Sequence, residues 1–263
     1  MTSITDALGA GAGIDSKALI VELAAAAREG RDKALTAKTT SNTAKISALA
    51  SIGSALTEFA TAFDIDAQDA TISTAKLVNE FVSGFNQVRT MIASATARGA
   101  TTASSGALLG DNGLRAATSA LAKLPLRALA GGATAQSLND LGIATNRDGT
   151  LRVDRVKLNA AIAADPVGVR AMLTSGGGLD SGLTAVRDLV MAKGGPLDAS
   201  TMRYTRVATT LAVQQARIES DNTKLIDRLT LSFGQMDRRV ALIKASQSYL
   251  TQQIAAWNST NNG

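Results

Sequence analysis

The sequence predicts a mainly α-helical protein whose long terminal helices pair in a coiled-coil or helical-bundle arrangement, with one small β-hairpin. Three observations predict this fold class. Of the 263 residues, 45% are hydrophobic but only 3% are aromatic, and three are proline. The apolar content is mostly Ala, Leu, Val and Ile, and Ala and Leu at this density favour helices. Seven-residue apolar repeats run through both ends of the chain, whereas one short segment alternates with a period of two.

The N-terminal region predicts a flexible start followed by two helices. The first 13 residues are small, polar and rich in glycine, so we expect them to be flexible until they are bound. Helix formation is expected to begin at Asp15 or Ser16, both good N-cap residues, and Gly30 is expected to bend or break this helix. The next helix, from about residue 31 to 63, carries a heptad row formed by Leu35, Asn42, Leu49, Leu56 and Phe63.

The segment that follows predicts a break and then a core helix. Residues 64–73 (DIDAQDATIS) cluster Asp, Gln and Thr, which is typical of a break between helices. A helix from about residue 74 to 97 has an apolar stripe wide enough to face a core, formed by Leu77, Val78, Phe81, Val82, Phe85, Val88, Met91 and Ile92. After a loop at residues 99–113, a short helix at 114–124 is expected to end before Pro125.

A β-hairpin is predicted near residues 141–153. The turn sequence Asn146-Arg147-Asp148-Gly149 lies between two alternating runs, and Asp-Gly in that position favours a hairpin. The alternating residues are Ile143, Thr145, Leu151 and Val153. Three short helices should follow: one capped by Asp154, one beginning at Asp165-Pro166, and one over residues 179–192.

The C-terminal region predicts one helix of about 60 residues, roughly 90 Å long, between residues 198 and 257. Its apolar seam has two phases, the first formed by Tyr204, Leu211, Ile218 and Leu225, and the second by Leu229, Phe233, Met236, Val240, Ile243, Leu250, Ile254 and Trp257. We expect residues 229–257 to pair with residues 35–63. As domains, residues 1–34 and 236–263 would form a terminal leg, and residues 35–235 a helical bundle that contains the hairpin.

The residue inventory argues against an enzyme. The chain has no Cys and no His, which excludes thiol nucleophiles, the usual zinc ligands and His general bases. No S-x-x-K motif stands in a strand-to-helix context, and the Gly-rich stretches at residues 9–13 and 176–178 fit flexible joints better than nucleotide sites. Asp64, Asp66 and Asp69 lack the glycine and glutamate that a calcium loop needs. We therefore predict no catalytic, cofactor-binding or metal-ligating residue.

Charge and hydropathy argue against nucleic-acid and membrane partners. The net charge is +5, but the Lys and Arg residues are scattered among acids, which is typical of a solvated helix surface. No 18-residue apolar stretch stands out, so no membrane span is expected. The first 13 residues carry no positive charge and no apolar core, so no secretory signal is expected either.

Several segments, in order along the chain, resemble the flagellar filament cap protein family, also called hook-associated protein 2. The N-terminal matches are Gly11, Gly13, Ile14, Asp15, Leu19, Leu23, Lys45, Ile46, Ser47 and Leu49. Phe81, Val82, Phe85 and Asn86 match a family F-V-x-x-[YF]-N segment. GALLGDNGLR, the block from SLNDLGI to DPVGV, and the closing YLTQQIAAWNS match further family segments. Relatives usually carry a large β-rich insertion where this chain has only residues 64–73.

The resemblance implies a homo-oligomeric cap, often a pentamer, at the distal end of a bacterial flagellum, where it promotes flagellin insertion. Implied partners are flagellin, the hook–filament junction proteins and a flagellar export chaperone. It also implies an extracellular location reached by the flagellar type III export route. Two alternatives stay open: another axial component, such as a junction protein or a flagellin-like subunit, and a surface adhesin.

Overall fold

The computed structural model describes residues 15–101, 104–129, 135–174 and 178–260. The elements in chain order are α1 (Ser16–Gln68), α2 (Thr74–Thr96), α3 (Asn112–Lys123), a 3-10 turn (Leu124–Leu126), β1 (Ile143–Thr145), β2 (Leu151–Val153), α4 (Arg155–Ala164), α5 (Pro166–Thr174), α6 (Leu179–Met191) and α7 (Pro196–Thr260). They form two compact units, here called the body (Thr40–Ala208) and the terminal unit (Met1–Thr39 and Thr209–Gly263). The predicted fold class, mainly α with long terminal helices and a small hairpin, is confirmed.

Helix α1 corrects two predictions about the N-terminal region. The break expected at Gly30 is wrong, because one helix of 53 residues runs through it; the alternative of a bend stays a prediction. Ion pairs in i,i+4 positions span the glycine, joining Arg28 to Asp32 and Lys33 to Glu29, and these offset part of the roughly 1 kcal/mol cost of Gly in a helix. The break predicted for residues 64–73 is shorter than expected, because α1 continues to Gln68.

The β-hairpin is confirmed where the alternating pattern predicted it. Strands β1 and β2 pair antiparallel, with Ile143 opposite Val153 and Thr145 opposite Leu151. The Gly149 amide donates to the Asn146 carbonyl at 3.0 Å, and Gly149 has a φ of +83°. A side chain is strained in that backbone region, so the turn requires glycine.

The core of the body lies where α1 crosses α2. The Phe81 ring is fully buried and lies 5.7 Å from Phe59, 5.5 Å from Phe63 and 6.1 Å from Phe85, measured between ring centroids. These aromatic pairs add to the area that the side chains remove from water. The predicted apolar stripe of α2 is therefore confirmed as a core face.

Helix α7 confirms the long C-terminal helix but corrects its predicted partner. Within the terminal unit, Leu35 of α1 packs against Leu211 and Ile218 of α7, and Arg31 forms an ion pair with Asp221 at 3.6 Å. The two terminal helices thus pair antiparallel through residues 31–35 and 211–221. The pairing predicted between residues 35–63 and 229–257 is wrong, because residues 49–63 face the core of the body instead.

Helix α1 also meets the length and composition criteria for a membrane span, contrary to the sequence-based expectation. One 18-residue window reaches a mean hydropathy of 1.3, and 39% of it is buried inside the protein. The core side of α1 is apolar because it packs in the body, as buried Leu49, Leu56 and Phe63 show. Core helices commonly pass the same test, so this property carries no conclusion about a membrane.

Candidate functional site

Two acidic residues near the end of α1, Asp64 and Asp69, accept hydrogen bonds from neighbouring residues. A carboxylate oxygen of Asp69 accepts from the Thr71 amide at 2.8 Å and from its hydroxyl at 2.7 Å, and these bonds lower the pKa of Asp69. Asp64 accepts from the Gln68 amide group at 2.8 Å. Across the part of the chain that the structure describes, no group of three or more metal-ligating side chains could hold a metal ion. The Gly-rich residues 9–13 and 176–177 lie outside the described residues.

The most conspicuous surface feature is an apolar row on the second half of α7. This C-terminal row consists of Met236, Ile243, Leu250, Ile254 and Trp257, which are 42%, 67%, 58%, 59% and 66% exposed. Their spacing of three, four and seven residues places them on one side of the helix. An exposed apolar patch of this kind is a candidate interaction surface.

The C-terminal row is also accompanied by positively charged residues. After Asp237 the sequence contains Arg238, Arg239 and Lys244 but no acidic residue. Asp237 is 7% exposed, and neither of its carboxylate oxygens has a hydrogen-bond partner within the described part of the chain. A buried carboxylate without a hydrogen bond is costly, so this turn of α7 leaves a polar group unsatisfied by the residues that the structure describes.

In the body, a buried carboxylate joins α3 to the first turns of α7. Asp111 is the N-cap of α3 and accepts from the Leu114 amide at 2.8 Å. It also accepts from the Ser200 hydroxyl and the Tyr204 hydroxyl, each at 2.8 Å, and pairs with Arg203. Burial raises the pKa of Asp111, but these hydrogen bonds and the Arg203 charge outweigh it and hold the pKa below its ordinary value.

The same network affects Tyr204, whose ring also contacts two cations. Burial, followed by the hydrogen bond to Asp111, raises the pKa of the Tyr204 hydroxyl, which therefore stays a donor. The Arg203 guanidinium lies 4.7 Å and the Lys45 ammonium 5.4 Å from the ring centroid, within the range of cation–π attraction. The Asn42 side chain donates to the Tyr204 carbonyl at 2.9 Å, which fixes this turn of α7 to α1.

A second polar contact fixes the hairpin to α2. The Asn86 side chain donates to the Leu151 carbonyl at 2.8 Å and accepts from the Leu151 amide at 2.7 Å. It thereby satisfies both backbone groups of one strand residue, as a neighbouring strand would. Arg89, one turn further along α2, donates to the Asp148 carbonyl at 2.9 Å. The F-V-x-x-F-N segment of α2 thus supplies two aromatic rings to the core and the asparagine that holds strand β2.

Arg170 of α5 binds the short connection between α1 and α2. Its guanidinium donates to the carbonyls of Ile72 at 2.6 Å, Asp69 at 2.8 Å and Ala67 at 3.4 Å. Ala67 belongs to the last turn of α1, whose final carbonyls have no partner within the helix, whereas Asp69 and Ile72 belong to the connection. The sequence did not predict this role of Arg170, because no local pattern links residue 170 to residues 67–72. The helix cap at Asp111 could have been predicted, because an Asp directly before N-G-L is a typical N-cap pattern.

Comparison with known proteins points to one family. The family model described as Flagellar hook-associated protein 2 C-terminus matches residues 50–245. Among curated proteins, the B-type flagellar hook-associated protein 2 of Pseudomonas aeruginosa strain PAO1 is 30% identical over 151 residues, 57% of this chain and 32% of that protein. Flagellar hook-associated protein 2 of Escherichia coli O157:H7 is 28% identical over 189 residues, 70% of this chain and 40% of that protein.

The chain therefore spans about two-fifths or less of the length of these curated relatives. Among solved structures, the crystal structure of the flagellar cap protein FliD D1-D2-D3 domains from Escherichia coli is similar with 24% identity and a TM-score of 0.41. That similarity covers 48% of this chain and 34% of the other, and it is too weak to support an argument about function.

Proposed function

This chain belongs to the flagellar hook-associated protein 2 family, and we propose that it is a structural cap subunit at the distal end of the bacterial flagellum. In this role it promotes the assembly of flagellin into the filament. The observation that carries the proposal is the C-terminal row, a long exposed apolar surface on a chain whose family is shown by residues 50–245. Such a surface is suited to binding other subunits and supplies no covalent chemistry, so we propose that the protein is not an enzyme.

The free energy for assembly would come from burial of the C-terminal row. Covering a large apolar side chain contributes about 1.5–3 kcal/mol, so several side chains on one face are enough to hold a subunit in place. The proposed partners are further copies of this chain, flagellin, the hook–filament junction proteins and a flagellar export chaperone. A pentamer, an extracellular location at the flagellum tip and export by the flagellar type III route belong to the same proposal.

We also propose a division of labour between two parts of the chain. Residues 1–34 and 236–263 form a leg, and residues 35–235 form a bundle. The C-terminal row begins at Met236, so all of it lies on the proposed leg. The leg would contact the hook or the filament, while the bundle keeps the subunit folded independently of those contacts.

The test replaces Ile243 and Leu250 with Asp in the full chain and measures swimming in a bacterial strain that lacks its own copy. Both side chains are more than half exposed, so folding should be unaffected. We expect swimming to fall to the level of the strain without the protein, because a charge in an apolar interface costs several kcal/mol. The matched control, Ala245→Asp with Gln252→Asp, adds the same charge on the opposite side of α7 and should swim normally.

Unchanged swimming of the Ile243→Asp, Leu250→Asp variant would contradict the proposed role of the C-terminal row. Electron microscopy of the purified assembly separates the cap from the alternative of another axial component. A small closed ring fits a cap, whereas an open helical filament fits a flagellin-like subunit.

A further inference from the structure

We propose that a basic groove between α3 and α6 receives the acidic end of helix α1 from a second copy of this chain, in a head-to-tail contact. This inference rests on the proposed function, in which the protein forms a homo-oligomer, and it identifies one interface between the subunits. All residues concerned belong to the body.

The basic groove is an apolar channel with cations along one edge. It encloses about 610 Å³ and is lined by side chains of α3, α6 and the link between α3 and the hairpin. Its apolar lining includes Ala120, Ala185 and Leu189, and Leu189 is 61% exposed. Lys123 and Arg127 line it as well, and neither forms an ion pair with any residue that the structure describes.

The acidic stripe is the exposed side of the last three turns of α1. Ile65, 62% exposed, lies on this side with Ala62 and Glu58, and Asp66 is next to it. Residues 58–69 contain four acids and no Lys or Arg. Arg170 binds carbonyls near Asp69, so Glu58 and Asp66 are the carboxylates available to a partner.

The two surfaces match in length and in the size of their side chains. Seven helical residues separate Glu58 from Ile65, and seven separate Gly182 from Leu189 in the groove, so each spans roughly 10 Å. The alanines and Gly182 have little or no side chain, so a helix can approach the floor of the groove closely. Ile65 and Ala62 would cover the apolar lining, while Glu58 and Asp66 meet Lys123 and Arg127.

The groove also lies on the side of α6 that faces away from α1, so the stripe of the same subunit does not fill it. One side of α6 faces α1: a Cβ on Gly53 would lie 3.1 Å from Met191, and burial together with the charge of Asp64 raises the pKa of Asp180. The groove residues Gly182, Ala185 and Leu189 are half a turn away from Asp180 and Met191 on the helix. One subunit can therefore use its stripe and its groove at the same time, and repetition generates a ring or a filament.

Charge favours the acidic stripe over the C-terminal row as the occupant of the basic groove. The C-terminal row is accompanied by Arg238, Arg239 and Lys244 without any acid, so it would place like charges against Lys123 and Arg127. Like charges brought together at an interface oppose binding. The acidic stripe is the complementary partner within this chain.

The experiment reverses the charges on each surface of the full chain and measures assembly by sedimentation velocity. The groove variant is Lys123→Glu with Arg127→Glu, and the stripe variant is Glu58→Lys with Asp66→Lys. Each alone should raise the concentration needed for half-assembly by at least about tenfold. A one-to-one mixture should again form complexes larger than the monomer, with an onset within about threefold of the wild-type concentration, because every contact between unlike variants is complementary. A closed ring of five cannot alternate the two variants, so open head-to-tail complexes count as recovery.

Recovery in the mixture also shows that both variants are folded. The matched control, Arg98→Glu with Arg155→Glu, reverses two exposed cations outside the groove and should assemble like the wild type. The inference is overturned if either variant alone assembles normally, if the mixture stays monomeric, or if the wild type does not assemble. It is also overturned if reversal of Arg238 and Arg239 prevents assembly while the groove variant does not. The cap function is judged separately by swimming, so the two proposals can fail independently.

Discussion

The body and the terminal unit treat their apolar residues in opposite ways. The body packs apolar side chains, from Leu49 of α1 to Leu197 of α7, into one continuous core, although Ile65 and Leu189 stay exposed. The terminal unit buries a small cluster of Leu35, Leu211 and Ile218, together with Ile20 and Ala24, and exposes the C-terminal row. Long helices in water are marginal without tertiary packing, so we expect the body to supply most of the stability of the chain and the terminal unit to depend on the partners proposed above.

The largest expected effect comes from removing a core ring of the body. Phe81→Ala should lower the free energy of unfolding by about 3–5 kcal/mol, because it removes a fully buried side chain and leaves a cavity among three rings. Denaturant titration measures the change. The matched substitution in the terminal unit, Ile243→Ala, should change it by less than about 0.5 kcal/mol. If both variants lost the same free energy of unfolding, the exposed row would contribute to folding as much as the core of the body does.

A smaller loss is expected when the buried carboxylate of the body is removed. Asp111→Ala should cost about 2–4 kcal/mol, because it removes a helix cap and leaves the Ser200 and Tyr204 hydroxyls and Arg203 without their acceptor. Asp111→Asn keeps a capping oxygen without the charge and should lose less. If Asp111→Ala unfolds at the same denaturant concentration as wild type, the network contributes nothing to the body.

The Asp111 network also predicts how the stability of the body depends on pH. The folded-state pKa of Asp111 lies below its ordinary value of 3.8. Its contribution is therefore fully present above the ordinary value and is lost as the pH falls through the lower folded-state pKa. The difference in unfolding free energy between wild type and Asp111→Asn should shrink as the pH is lowered from 5 to 2. A difference that stays constant over this range would show that the charge is not involved.

The smallest expected effect is a gain in the terminal unit. A Cβ on Gly30 would meet no atom within 4 Å, and the residue is helical. Gly30→Ala should therefore stabilise the terminal unit by about 0.5–1 kcal/mol, because alanine loses less backbone entropy in a helix. Thermal melting followed by circular dichroism measures it. A decrease in melting temperature would mean that the helix needs flexibility at this point.

Sequence reasoning located most elements of the fold because their patterns are local. The α2 stripe, the Asn146–Gly149 turn and the Asp154 cap each depend on residues within a few positions of one another, and each was predicted correctly. The prediction of a break at Gly30 was wrong because a single glycine costs less than the flanking ion pairs and helix formers supply. For the candidate site, the sequence identified the heptad positions of the C-terminal row but not their exposure.

Two properties were determined by the sequence alone: the helical fold class with its hairpin, and the absence of Cys and His, which removes the chemistry that needs those side chains. Only the tertiary structure decided which apolar positions are covered. A heptad row looks the same in sequence whether its partner is in the same chain or in another molecule, because periodicity records the side of a helix and not what lies against it. For that reason Phe63 became part of a core, whereas Ile243, with the same spacing, became part of an exposed surface.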